Sequence, residues 1–156
     1  MATLLTHTPL DYPGPTPKKL PDAPYILSLD SETDILTLLH TILERAGYQH
    51  YGTTDPEEAL EILRSGAVDL FTQNIVRRRM DGCEFYQIMQ SEKVLRDIPV
   101  LLISSVDPAT LSESSFKLVA DLYPHNYIPM PFGHQRLLAA VAAIVTPPRM
   151  VKLTPK

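Results

Sequence analysis

Pro99-Val100-Leu101-Leu102-Ile103-Ser104-Ser105 begins with a proline, runs through four apolar residues and ends in two hydroxyls. A strand with one face in water alternates apolar and polar side chains. A strand that is apolar throughout is covered on both faces, as at the centre of a parallel sheet. Working outward from this stretch, a helix is expected over 81–92, with Phe85, Ile88 and Met89 inward, and before it a strand over 68–73. On the other side lie a helix over 108–122, a short strand at Tyr127-Ile128 and a last helix over 135–145. Toward the N-terminus, Tyr25-Ile26-Leu27-Ser28-Leu29 reads as the first strand. Ser31-Glu32-Thr33-Asp34 then opens a helix, its hydroxyls and carboxylates suited to the unpaired N–H groups there. Ile35, Leu38, Leu39, Ile42 and Leu43 recur at helical spacing and are expected to face inward, with Gly47 as the stop. His50-Tyr51-Gly52 reads as a short strand. Asp55-Pro56 starts another helix, with Ala59, Leu60, Ile62 and Leu63 on its apolar face. Five strands alternating with five helices imply a doubly wound α/β domain around a parallel sheet.

Six of the 15 prolines fall at positions 9, 13, 15, 17, 21 and 24. Proline fixes φ and removes a backbone donor, so 1–24 reads as an extended tail, 25–146 as one domain and 147–156 as a second tail. The length of 156 residues suits one core. A net charge of −4 gives no general reason to bind nucleic acid; the one dense basic run is Arg77-Arg78-Arg79. Cys83 is the sole cysteine, which excludes an internal disulfide and a CxxC zinc site. The longest apolar stretch, 137–145, is far short of the ~20 residues that span a bilayer. No secretory leader pattern is present at the start. The expectation is a cytoplasmic protein that engages neither membrane nor nucleic acid.

In an open parallel sheet the site lies beyond the carboxyl ends of the strands, at the switch in strand order. The residues there are Asp30 and Ser31, Asn74, Ser104 and Ser105, and Met130-Pro131. At these positions the chain resembles the receiver domain of two-component response regulators. Leu29-Asp30-Ser31-Glu32 resembles the family's acidic motif after the first strand. Ala46-Gly47-Tyr48 with Asp55 through Leu60 resembles its next stretch. Asp69 through Asn74, with Met80-Asp81-Gly82, is similar to its acceptor strand and loop. Ile98 through Ser105 and Tyr127-Ile128-Pro129-Met130-Pro131-Phe132 complete five motifs in order. The resemblance implies a flavodoxin-like sheet of strand order 2-1-3-4-5 and a place in phosphorelay signal transduction.

The same resemblance implies a pocket whose chemistry has changed. Where the family carries the aspartate that attacks a phosphohistidine, this chain has Asn74, whose amide is uncharged and no useful nucleophile. Mg²⁺ prefers oxygen ligands and takes one or two carboxylates with waters. Of the family's three acids Asp30 alone remains, with Ser31 and Asn74 for the others. Met130 stands at the family's phosphate-pairing lysine, and a thioether carries no charge. Ser104 and Tyr127 fall at the family's hydroxyl and aromatic switch positions, and Met130-Pro131 at a peptide bond that is commonly cis in receivers. Each has a plainer reading: Ser31 as a helix cap, Ser104 as a strand-end hydroxyl satisfied by backbone, Tyr127 as packing, Asp30 as a solvated or hydrogen-bonded acid. Asn74 is either a mimic of one phosphorylation state or a relic.

The five histidines, at 7, 40, 50, 125 and 134, show no metal-ligand spacing and read as scattered solvated or packing residues. No Gly-x-Ser-x-Gly elbow, GxGxxG or Walker loop is present. The expected function is that of a stand-alone pseudo-receiver. It is not an enzyme, needs no cofactor, and binds Mg²⁺ weakly or not at all. It acts on a protein partner, or as a homodimer through the fourth helix, fifth strand and fifth helix. Two alternatives stay open: a residual phosphoacceptor at Asp30 or Ser31, and a sensor holding an anionic small molecule on Arg77, Arg78 and Arg79.

Overall fold

The computed structural model describes residues 23–74, 82–105 and 126–145, with Cys83 described in its backbone only. Of the expected tails, 1–22 and 147–156 lie outside the described residues, as do the Arg77–Arg79 loop and the helix expected over 108–122; Pro24 is described, its carbonyl accepting from Gln49 N–H at 3.0 Å. The strands are β1 (Tyr25–Leu29), β2 (Gln49–Thr53), β3 (Leu70–Gln73), β4 (Val100–Ser104) and β5 (Tyr127–Pro129). The described helices are α1 (Thr33–Arg45), α2 (Pro56–Arg64), α3 (Gly82–Ser91), the single turn α4 (Lys93–Arg96) and α5 (His134–Ile144). The strands form one sheet in the order β2-β1-β3-β4-β5, with every pairing parallel. This is the doubly wound, flavodoxin-like arrangement.

Successive side chains on a strand point to opposite faces, so a continuous apolar run supplies two cores at once. Tyr25, Leu27 and Leu29 of β1 join Phe71, Val100, Leu102 and Tyr127 on one face. There they meet Ala59, Leu60, Ile62 and Leu63 of α2, Phe85 and Met89 of α3, and Leu95 of α4. Ile26, Leu70, Leu101, Ile103 and Ile128 face the other way, onto Leu39, Ile42 and Leu43 of α1 and Leu137 and Val141 of α5. Burying a side chain of this size removes it from water at a gain of about 1.5–3 kcal/mol each, which is what drives the layers together.

Local chemistry sets the element ends. α1 closes with Gly47 at φ +97°, its N–H donating to the Glu44 carbonyl at 3.0 Å, while Tyr48 N–H donates to the Leu43 carbonyl at 3.0 Å. That paired closure needs a left-handed residue, and glycine takes it without a Cβ clash. The start of α1 differs from the expectation. Its N-cap is Glu32, with no side-chain capping bond, and Ser31 is exposed one residue earlier. Leu38, expected inward, is 40% exposed, and Leu36 is buried in its place. Six apolar residues on one helix leave its rotation undecided, and the sheet selects the stripe Leu36, Leu39, Ile42 and Leu43.

α2 begins as its sequence implies. Pro56 sits in the first turn, and Asp55 Oδ1 accepts from Glu57 N–H at 3.0 Å. Replacing Asp55 by alanine should lower stability by about 1 kcal/mol. The check is a denaturant titration whose midpoint falls while its slope stays constant.

Candidate functional site

Parallel pairing carries the carboxyl ends of the strands to one edge of the sheet. Leu29 is in register with Gln73, so Asp30 and Asn74 are the next residues on neighbouring strands. Ser104 is in register with Pro129 and its carbonyl accepts from Met130 N–H at 2.9 Å, which brings the fourth and fifth strand ends to the same edge. The structure thus collects Asp30, Asn74, Ser104 and Met130 along one rim. Ser31 lies beside them and is exposed; Arg77, Arg78 and Arg79 lie outside the described residues.

Asp30 is buried, and one oxygen of its carboxylate is engaged by the local backbone. Oδ1 accepts from Glu32 N–H at 2.9 Å, and the Asp30 N–H donates to the Thr53 carbonyl at 3.2 Å. This turn points the chain from β1 into α1. Asn74 is half-buried, and Ser104 is buried at the strand end. Met130 is half-buried and packs with Phe132 against the α1–α5 core, so its thioether belongs to that apolar layer. The Met130–Pro131 peptide bond is cis. Tyr127 is buried in the opposite core, with Phe71 and Leu102.

These residues make a poor magnesium site. The ion is held by one or two available carboxylates together with waters and other oxygens. Here one carboxylate is present, with one of its oxygens engaged by a backbone N–H. Among the described residues no group of three or more histidine, cysteine, aspartate or glutamate side chains could hold a metal.

Beneath the rim lies a polar row that sequence reasoning missed. Ser28 of β1 and Thr72 of β3 each stand two residues before Asp30 and Asn74, and both are buried. Thr72 Oγ1 donates to Ser28 Oγ at 2.7 Å, and His50 Nε2 of β2 lies 2.9 Å from the same Ser28 oxygen. The other ring nitrogen, His50 Nδ1, lies 3.1 Å from His40 Nδ1 on α1, whose ring is half-buried. The two rings are tilted by 49°. Burial, reinforced by the neighbouring His40, holds the His50 imidazole down to about 3. Burial also lowers His40, while Glu44 acts in the opposite direction. A histidine inside β2, two positions before the residue in register with Ser28, and a threonine in register with that serine on β3 were the signal available in the sequence.

The family model for the response regulator receiver domain matches residues 26–142. The chain belongs to the receiver family. It is 31% identical over 120 residues to the alkaline phosphatase synthesis transcriptional regulatory protein PhoP of Bacillus subtilis, covering 77% of this chain and 48% of that protein. It is 27% identical over 121 residues to a probable transcriptional regulator, ycf27, of Cyanidium caldarium, covering 78% and 46%. The receiver thus spans about half the length of the curated relatives it matches. Among solved structures, the receiver is similar to the chemotaxis protein CheY4 of Vibrio cholerae, with TM-score 0.67 and 19% identity over 79% of this chain and 99% of that one. A response regulator receiver protein's N-terminal domain from Methanoculleus marisnigri gives 30% identity and TM-score 0.58, over 78% and 96%. This is a receiver domain of a two-component response regulator. No described helix is long and apolar enough to cross a membrane.

Proposed function

We propose that this receiver signals without accepting a phosphoryl group, as a pseudo-receiver that acts through contacts with a protein partner and catalyses no reaction. The observation that carries this reading is Asn74, placed next to Asp30 by the β1–β3 register, where the family's resemblance implies the acceptor aspartate. An amide there offers neither a nucleophilic carboxylate nor a charge for a metal. Met130, drawn into the apolar layer beside Phe132, supplies no cation for phosphoryl oxygens. Asp30 and Ser31 are poor substitutes as acceptors. The first has an oxygen tied to Glu32 N–H, and the second is an unactivated exposed hydroxyl. The relatives named as transcriptional regulators place such domains in signalling proteins, and the output here is proposed to be a binding event of that kind.

Incubation with acetyl phosphate and Mg²⁺ should leave the intact mass unchanged. The triple variant Ser31→Asp, Asn74→Asp, Met130→Lys should instead gain the mass of one phosphoryl group. An adduct on the unaltered chain that disappears in Asn74→Ala would overturn the reading. A triple variant that folds and stays unlabelled would remove these three residues from the explanation.

A further inference from the structure

We infer that His40 and His50 form a proton-operated switch that reverses the direction of side-chain hydrogen bonding between β1 and β2, in a row whose far end is the Ser28–Thr72 pair two residues below Asp30 and Asn74. The inference stands on the geometry of the polar row and is independent of whether the pocket accepts phosphate.

Two Nδ1 atoms 3.1 Å apart can share only one proton: one ring donates and the other accepts. The order proposed for the neutral protein is one in which Thr72 Oγ1, 2.7 Å from Ser28 Oγ, donates to it and Ser28 donates in turn to His50 Nε2 at 2.9 Å. In that order His50 carries its proton on Nδ1 and donates to His40 Nδ1. Each group in the row Thr72, Ser28, His50, His40 donates to the next.

A proton added to His40 breaks this order. The His40 cation has N–H on both nitrogens, so its Nδ1 must donate, and His50 Nδ1 must become the acceptor. The His50 Nδ1 proton passes to His40, and the proton taken from solvent ends on His50 Nε2, which now donates to Ser28. Net uptake is one proton, His50 stays neutral, and the Ser28 hydroxyl must turn away. Protonating both rings would place two N–H groups face to face in a buried site, which the geometry forbids. Among the described residues, Glu44 on α1 faces the pair as a charged group, its Oε2 accepting from the His50 backbone N–H at 3.1 Å. From β1 and β3 the facing groups are the hydroxyls of Ser28 and Thr72. Glu44 favours charge on His40 while burial opposes it, so the switch operates on the acid side of the ordinary histidine value of 6.5.

The test is nitrogen NMR of the histidine rings in the full chain as pH is lowered from 8. His40 should become doubly protonated with a midpoint below 6.5. At the same midpoint His50 should exchange an Nδ1–H tautomer for an Nε2–H tautomer without gaining charge. The amide signals of Asp30 and Asn74 should shift with that midpoint. In His40→Phe, the His50 tautomer should hold constant over the same range. The inference is overturned if His50 keeps one tautomer while His40 titrates, or if His50 still switches in His40→Phe.

Discussion

Replacing Phe71 by alanine is expected to lower the unfolding free energy by about 4 kcal/mol, the middle of the range for deleting a buried aromatic ring. Phe71 is fully buried at the centre of β3, and its ring stacks on Phe85 of α3 with centroids 5.1 Å apart and planes 26° apart. Truncation removes the transfer gain, leaves a cavity between the sheet and α3, and forfeits an aromatic contact of about 0.5–1.5 kcal/mol. A domain of this size has a total stability of about 5–15 kcal/mol, so the variant should be partly unfolded at warm temperatures. The effect should reach the site, because Asn74 lies three residues after Phe71, immediately beyond β3. Leu38→Ala supplies the control. Leu38 is also an apolar residue in a regular element, yet at 40% exposure its loss should change stability by no more than about 0.5 kcal/mol. Equilibrium urea unfolding of the two variants measures both. A Phe71→Ala midpoint matching that of Leu38→Ala would contradict the placement of β3 between two covered faces.

The contrast between those residues shows what the sequence could and could not reveal. β1 was legible to the residue, because Tyr25–Leu29 is bounded by Pro24 and Asp30, and both ends carry their own chemical reason. The rim was legible too: once the sheet is parallel, every strand end falls on one edge, and Asp30, Asn74, Ser104 and Met130 follow. The rotation of α1 was not, since the run Ile35-Leu36-Thr37-Leu38-Leu39 offers apolar residues to more than one face. α4 was missed because four residues make one turn and have no periodicity to read. The polar row was missed for a different reason. Ser28 and Thr72 lie 44 residues apart, and His50 lies 22 from Ser28, so the network exists only through strand pairing. Read singly, each histidine was a scattered polar residue.

That row also makes the domain acid-sensitive in a specific way. In the unfolded chain His50 binds a proton near 6.5, whereas in the folded protein burial holds it down to about 3. Between those values the unfolded state binds more protons than the folded one, so stability rises with pH and falls on acidification. The contribution is complete above pH 6.5, declines by about 1.4 kcal/mol per pH unit below it, and amounts to a loss of roughly 3 kcal/mol by pH 4.5. His40, also lowered by burial, adds a loss of the same sign below pH 6.5. Carboxylates titrate below about pH 5 and contribute their own slope, so the comparison must be made against a variant. His50→Leu keeps an apolar volume in the α1 layer and removes the ionising ring. Urea unfolding at pH 7 and at pH 4.5 should show the unaltered chain losing about 3 kcal/mol more than His50→Leu across the interval. The variant should be the less stable of the two at neutral pH, where Ser28 has lost its hydrogen bond to His50, and the gap should narrow or invert in acid. Equal losses in the two proteins would mean that His50 takes up its proton in the folded state as readily as in the unfolded chain, and the buried row could then not remain neutral.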